Sequence, residues 1–205
     1  PHRGASLGHG GILEGDNIVC PFHGIGVGLG KGRGKKLEVR EYESLTLGGL
    51  VFMRVDEDLD VGFADFFRKL DASHYIVPGF SITVKAPPTI VIENAFDNMH
   101  FRVVHGIFNE PEFVIQPSQS GEFSVTSEFV IPPSVWQNPG QAQERLKAAY
   151  HARAFSPGIV ISLLGGPNPY YVITTATQIQ GGESLIRLSL AIPPDKDGNP
   201  PSQQG

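Results

Sequence analysis

Apolar positions fall in short runs along the first quarter of the chain. The runs "NIVC", "KLEVREY" and "GLVFMRV" are separated by Gly and other turn residues, a pattern that predicts a small all-β unit without helices over residues 1–55. The acidic stretch "DEDLD" marks a surface boundary, and "FADFFRKL" after it has the 3.6-residue spacing of a short amphipathic helix. A second unit is therefore expected over 56–205. Within it the pattern predicts a strand around "FSITVKA", a helix after "PPTIVIEN" and a strand at "EFSVTSEFVI". A further helix is predicted over "PGQAQERLKAAYHARA", with Pro139 near its first turn, followed by strands at "GIVISLL", "YYVITTATQI" and "SLIRLSLAIPP". Connections this short and helices this few exclude a βαβ series, so the expected class is α+β with mainly antiparallel strands. The polar end "PPDKDGNPPSQQG" reads as a loop or tail.

Composition narrows the functional classes. A net charge of -5 without a long basic run argues against nucleic acid or an anionic membrane surface as the main partner. The basic stretch "KGRGKK" reads as a solvated loop, and no apolar run reaches the roughly 18 residues of a bilayer span. A single cysteine, Cys20, excludes an internal disulfide and gives no sign of a secreted, oxidised framework, so a cytoplasmic setting is expected. The ladder "GIGVGLGKGRG" resembles a phosphate loop only superficially. Its glycines, Gly24 to Gly34, all stand at even positions, whereas both phosphate-binding fingerprints need two glycines an odd five apart. It reads as a flexible connection.

Two constellations carry candidate chemistry. In the first, His2 precedes Cys20 by 18 positions and "CPFH" then brings His23 three residues after the thiol, a tight loop able to present both side chains to a metal. On residue type alone a structural zinc site and plain surface histidines stand beside this reading. In the second, "DNMHFRVVHG" sets Asp97 three residues before His100 and His105 five after it, which excludes the HExxH arrangement of metalloproteases. On a regular helix at about 100° per residue the two histidines lie about 140° apart. They can share a metal only if the helix ends or bends between them, and Gly106 is a suitable terminator. Two ordinary, partly buried histidines are the alternative. His9, His74 and His151 match no motif and read as loop, surface or helix-end residues.

Taken together, "PHRGAS…CPFHG" and "DNMHFRVVH", about 80 residues apart, resemble the two metal motifs of Rieske non-haem iron oxygenases. The first is similar to the CxH…CxxH signature of a [2Fe-2S] cluster, and the resemblance implies His2, Cys20 and His23 as ligands, with the fourth a Cys just before Pro1. The second resembles DxxHxxxxH with the upstream pair Glu93 and Asn94. It implies His100 and His105 as ligands of a mononuclear Fe(II), and Asp97 as a bridge that links His100 to His23 of a neighbouring subunit. The third iron ligand of the family is a carboxylate on a C-terminal helix. Asp195 and Asp197 lie in a Pro/Gly tail that does not match it, so that ligand is expected beyond Gly205.

The resemblance implies a truncated Rieske domain over 1–55 and a helix-grip-like catalytic domain over 56–205. Together they would form a terminal oxygenase that receives electrons from NAD(P)H through a reductase, with or without a ferredoxin. It would act with O2 on an apolar aromatic or alicyclic substrate, and it would be a homo-oligomer. The short gap from Asn94 to Asp97 is closer to the homotrimeric and steroid-hydroxylase branches. Phe96, Met99, Phe101, Val104, Phe108 and Phe113, with Trp136, Tyr170 and Tyr171, are candidates to line the pocket. An electron carrier without oxygenase activity and an inactive fragment are the alternatives. With Pro1 in place of an initiator Met, the chain is read as starting inside a longer protein, cut at each end inside a metal site. These 205 residues are therefore expected to lack oxygenase activity. Substrate-dependent O2 consumption in the presence of a suitable reductase is the measurement that would overturn this.

Overall fold

The Gly-punctuated runs at the start of the chain fold as minimal hairpins. In a computed structural model, which describes residues 4–29, 39–56, 60–118, 120–131 and 145–201, β1 (Ile12–Glu14), β2 (Asn17–Val19) and β3 (Gly26–Gly28) form a three-stranded antiparallel sheet. The first rungs of the glycine ladder are thus a strand, paired through main chain that needs no side chain. Gly24 precedes that strand at a positive φ of 68°, and positions 30–34 of the ladder lie outside the described residues. Of "KLEVREY", residues 39–42 are irregular, and the next strand, β4 (Ser44–Leu47), begins later. It turns into β5 (Leu50–Met53) through Gly48 and Gly49, both at positive φ (56° and 73°) as a two-residue type I′ hairpin turn requires. Contacts divide the chain into two units, Pro1–Leu45 with Phe52–Asp56 and Thr46–Val51 with Glu57–Gly205. Among the described residues no helix is long and apolar enough to cross a membrane.

The larger unit is built on a seven-stranded antiparallel sheet. Its strands are β6 (Tyr75–Val84), β7 (Val114–Gln116), β8 (Phe123–Ile131), β9 (Leu146–Ser156), β10 (Ile159–Leu164), β11 (Tyr170–Gln178) and β12 (Ser184–Ile192). The order β6-β12-β11-β10-β9-β8-β7 makes β7 to β12 a meander, with β6 added at its far edge. The connection from β6 to β7 carries α2 (Pro88–Glu93), a 3₁₀ turn (Asn94–Phe96) and α3 (Asn98–Val103) from one edge of the sheet to the other. One helix therefore lies within "PPTIVIEN" and a second follows it. Pro88 starts the first, where its missing N–H is not needed.

The expected helix over "PGQAQERLKAAYHARA" is corrected by the structure. Positions 139–144 lie outside the described residues, and the remainder is the long strand β9, paired with β8 on one side and β10 on the other. Ala and Lys favour helix weakly, and two flanking ladders with an apolar row to bury outweigh that preference. The row Ala148, Tyr150, Ala152 is buried, and Tyr150 and Ala152 join Val125, Phe129, Val160, Ile92 of α2 and Ile107 in one core cluster.

The opposite face of the same strand carries His151, Arg153 and Phe155, and α1 (Phe63–Ser73) covers it. Phe63 and Phe66 meet Phe155 at 5.5 and 5.2 Å between ring centroids, and the Arg153 guanidinium stacks over Phe66, 5.1 Å from its centroid. His151 accepts from Arg153 Nε–H at 3.2 Å through Nε2, which also lies 2.7 Å from the hydroxyl of buried Ser124. This residue is thus mid-strand rather than at a helix end. Burial first, and then the charge of Arg153, hold its pKa below the usual value, against a smaller opposing pull from Glu122.

A histidine kept neutral in the fold takes up its proton more readily when unfolded. Its contribution to stability is therefore complete above about pH 6.5, the unfolded value, and is lost as pH falls toward the lowered folded value. Thermal unfolding should show Tm falling as pH drops from 7 to 5. In His151→Gln that fall should be shallower, and an unchanged slope would show that other groups govern it.

Candidate metal centre

The second constellation sits on the crossover between β6 and β7. Asp97 is the N-cap of α3, in extended backbone, and its Oδ1 accepts from the amides of Met99 at 3.0 Å and His100 at 3.2 Å. An N-cap carboxylate satisfies orphan donors and suits the positive end of the helix. The helix is one and a half turns long and ends at Val103, between the two histidines. The Val104 amide bonds back to His100 O, Gly106 takes a φ of 67°, and the amide of Ile107 reaches back to Phe101 O. This break removes the angular conflict of a continuous helix. The imidazole rings of His100 and His105 come to 4.7 Å between centroids.

His100 is oriented by its own chain. Its Nδ1 lies 3.0 Å from the carbonyl of Asn94, so the neutral ring places its proton on Nδ1 and its lone pair on Nε2. Asp97 holds the amide of His100 rather than its ring. His105 is more exposed. Burial, followed by the neighbouring His100, lowers its pKa, which favours the neutral imidazole that binds metals. Behind both rings stands Phe101, 5.4 Å from His100 and 5.7 Å from His105, which packs on Phe129 and Tyr150.

Of the candidate pocket residues, Phe96, Phe101 and Phe113 pack against the core on this face, while Met99, Val104 and Phe108 are exposed. Tyr170 shares a row with Leu164 and Tyr150, whereas Tyr171 meets Phe66 and His74 on the face covered by α1. The structure thus separates those two neighbours onto opposite sides of the sheet. Trp136 lies outside the described residues.

In the smaller unit Cys20 is 2% exposed and in no disulfide, and His23 stands three residues on in a loop closed by two hydrogen bonds. The amide of Gly24 donates to Cys20 O and the amide of Cys20 to Ile25 O, each at 2.9 Å. His23 packs its ring on Phe22 at 4.2 Å. His2 lies outside the described residues. Among the described residues no group of three or more His, Cys, Asp or Glu side chains is placed to hold a metal ion.

No family model and no curated protein matches the chain. Solved structures do. Dicamba monooxygenase bound to 3,6-dichlorosalicylic acid matches at a TM-score of 0.64 and 17% identity over 89% of this chain and 62% of the other. NdmB of Pseudomonas putida CBB5 matches at 0.62 and 15% over 95% and 60%, and the quaternary ammonium Rieske monooxygenase CntA at 0.53 and 13% over 99% and 57%. The fold is that of the Rieske oxygenases. The chain spans about three-fifths of the length of these structures. At identities this low the likeness in structure shows the fold alone.

Sequence reasoning missed the two main-chain carbonyls at the turn, Asn94 O and Ala95 O, and the strand residue Tyr150 that donates to the second. The alternation of polar and apolar residues from Lys147 to Ala154 was the available signal. If the Asp97 carboxylate caps α3, Asp97→Ala should lower stability by about 1 kcal/mol. Asp97→Asn, an equally good cap, should leave it unchanged. Equal stability of both variants in denaturant unfolding would refute the capping role.

Proposed function

We propose that the chain is part of a terminal oxygenase of the Rieske non-haem iron type, with His100 and His105 as ligands of the mononuclear iron. The observation that supports this most is the ending of α3 between the two histidines, which brings their rings to 4.7 Å with Nδ1 of His100 already turned to Asn94 O. Nε2 of His100 is left for a metal, as the chemistry of a two-histidine, one-carboxylate site needs. The third donor, a carboxylate, is assigned to the protein beyond these residues. Fe(II) held there would activate O2, using electrons from NAD(P)H passed by a reductase, with or without a ferredoxin, through a [2Fe-2S] cluster held partly by His2, Cys20 and His23.

The burial of Cys20 in a loop closed by main-chain bonds suits a cluster ligand, since it keeps the thiol from solvent and fixes its direction. In this reading residues 1–55 are the Rieske domain and 56–205 the catalytic domain. Oδ1 of Asp97 is occupied by amides, so the bridge to His23 of a neighbouring copy in a homotrimer falls to the other carboxylate oxygen. The substrate we assign is an apolar aromatic or alicyclic molecule, steroid-like compounds among them. Met99 and Phe108, exposed near the histidines along the chain, and Phe96 and Phe113 on the sheet side supply apolar surface for it. The single cysteine fits a reducing cytoplasmic setting.

The test is metal analysis and electron paramagnetic resonance on the full protein. His100→Ala and His105→Ala should each lose mononuclear iron and substrate oxidation while keeping the cluster signal, and Cys20→Ala should lose the cluster. Asp97→Asn should keep both metals yet slow turnover on the order of 10- to 100-fold. Iron content and turnover unaffected by His100→Ala would sink the proposal. A wild-type protein that carries electrons and oxidises no substrate would favour the electron-carrier reading.

A further inference from the structure

The hydroxyl of Tyr150, 55 positions along the chain from the turn it touches, donates to Ala95 O at 2.8 Å. Ala95 directly follows Asn94, whose carbonyl orients His100. We propose that Tyr150 is a positioning residue of the metal centre, pinning through its hydroxyl the turn that sets the ring of His100 and backing, through Phe101, the seat of both histidines. The inference rests on the reading of His100 and His105 as iron ligands.

Three observations carry it. Tyr150 is 2% exposed and stacks on Phe129 at 4.5 Å, so the phenol has little freedom to swing. Ser162 Oγ, on the neighbouring strand, lies 3.2 Å from the same phenol oxygen, and since the phenol proton is committed to Ala95 the serine is the donor there. The phenol is thus held from the sheet side and aimed at the turn. Burial also pushes its pKa up to about 12, so the proton that bonds Ala95 O is retained at neutral pH.

The ring acts in parallel. It meets Phe101 edge-on at 5.1 Å, and Phe101 in turn contacts both imidazoles. Phenylalanine at position 150 would fill the same core space. The hydroxyl is what a purely packing role does not explain, because it reaches the loop rather than only the sheet. Loss of the bond would free the Ala95 peptide to rotate, and with it the adjoining Asn94 carbonyl that fixes the proton of His100 on Nδ1. A ring free to exchange tautomers offers Nε2 to a metal only part of the time.

The experiment compares wild type, Tyr150→Phe and Ser162→Ala of the full protein. It has two readouts, the tautomer of His100 by long-range ¹H–¹⁵N NMR on the metal-free form and Co(II) affinity by absorption titration. Wild type should show the Nδ1–H tautomer. Tyr150→Phe should show a mixture and a Co(II) dissociation constant raised on the order of tenfold, with its circular dichroism retained. Ser162→Ala should keep the wild-type tautomer while losing a comparable amount of stability. A wild-type tautomer in Tyr150→Phe, or an equal disturbance in Ser162→Ala, overturns the inference. Co(II) binding that survives His100→Ala is the failure of the iron reading instead, and the tautomer comparison still decides what Tyr150 does.

Discussion

Burial of Ile92 and Phe101 against Val125, Phe129 and Tyr150 is what allows two helices of six residues to exist. Helices so short do not hold in water, where the first turn is costly and few bonds follow it. The sheet face supplies the missing stability, and it does so at one place, the aromatic cluster under α3. Everything proposed for the centre follows from that anchoring. The end of the helix at Val103, the approach of the two imidazoles and the carbonyl set against His100 are all features of a short segment pressed onto a rigid surface.

The centre was legible in the sequence as far as its side chains went. Asp97, His100 and His105 could be picked out by spacing, and the need for a break between the histidines followed from helix geometry alone, with Gly106 as its marker. The carbonyl of Asn94 could not be found this way, because a main-chain acceptor has no letter of its own. Tyr150 was hidden for a different reason. Its segment is rich in Ala, Lys and Arg, which suits a helix locally, and only pairing with strands on both sides reveals that its alternate residues face opposite layers.

The fold class was readable for similar reasons. The hairpin strands β8, β10, β11 and β12 are β-branched or alternate clearly, and their pairing is local. The glycine ladder shows the limit of that logic, since its first part is a strand by virtue of its partner β2 and not of its own side chains. The Rieske-like loop lies between these cases. Its spacing suggested a ligand loop, and the structure adds that the thiol is buried while its main chain closes the loop on itself.

The place of β6 has a consequence for how the larger unit assembles. First of the seven strands in the chain, it pairs among the described residues only with the last, Val84 opposite Ser184, a contact that closes a loop of about a hundred residues. Long loop closures are slow, and the meander from β7 to β12 can form from neighbours in the sequence. On topology alone the opening strand is expected to pair after the meander has formed. In that order of events the crossover bearing Asp97, His100 and His105 would be tethered to the sheet at its β7 end before its β6 end.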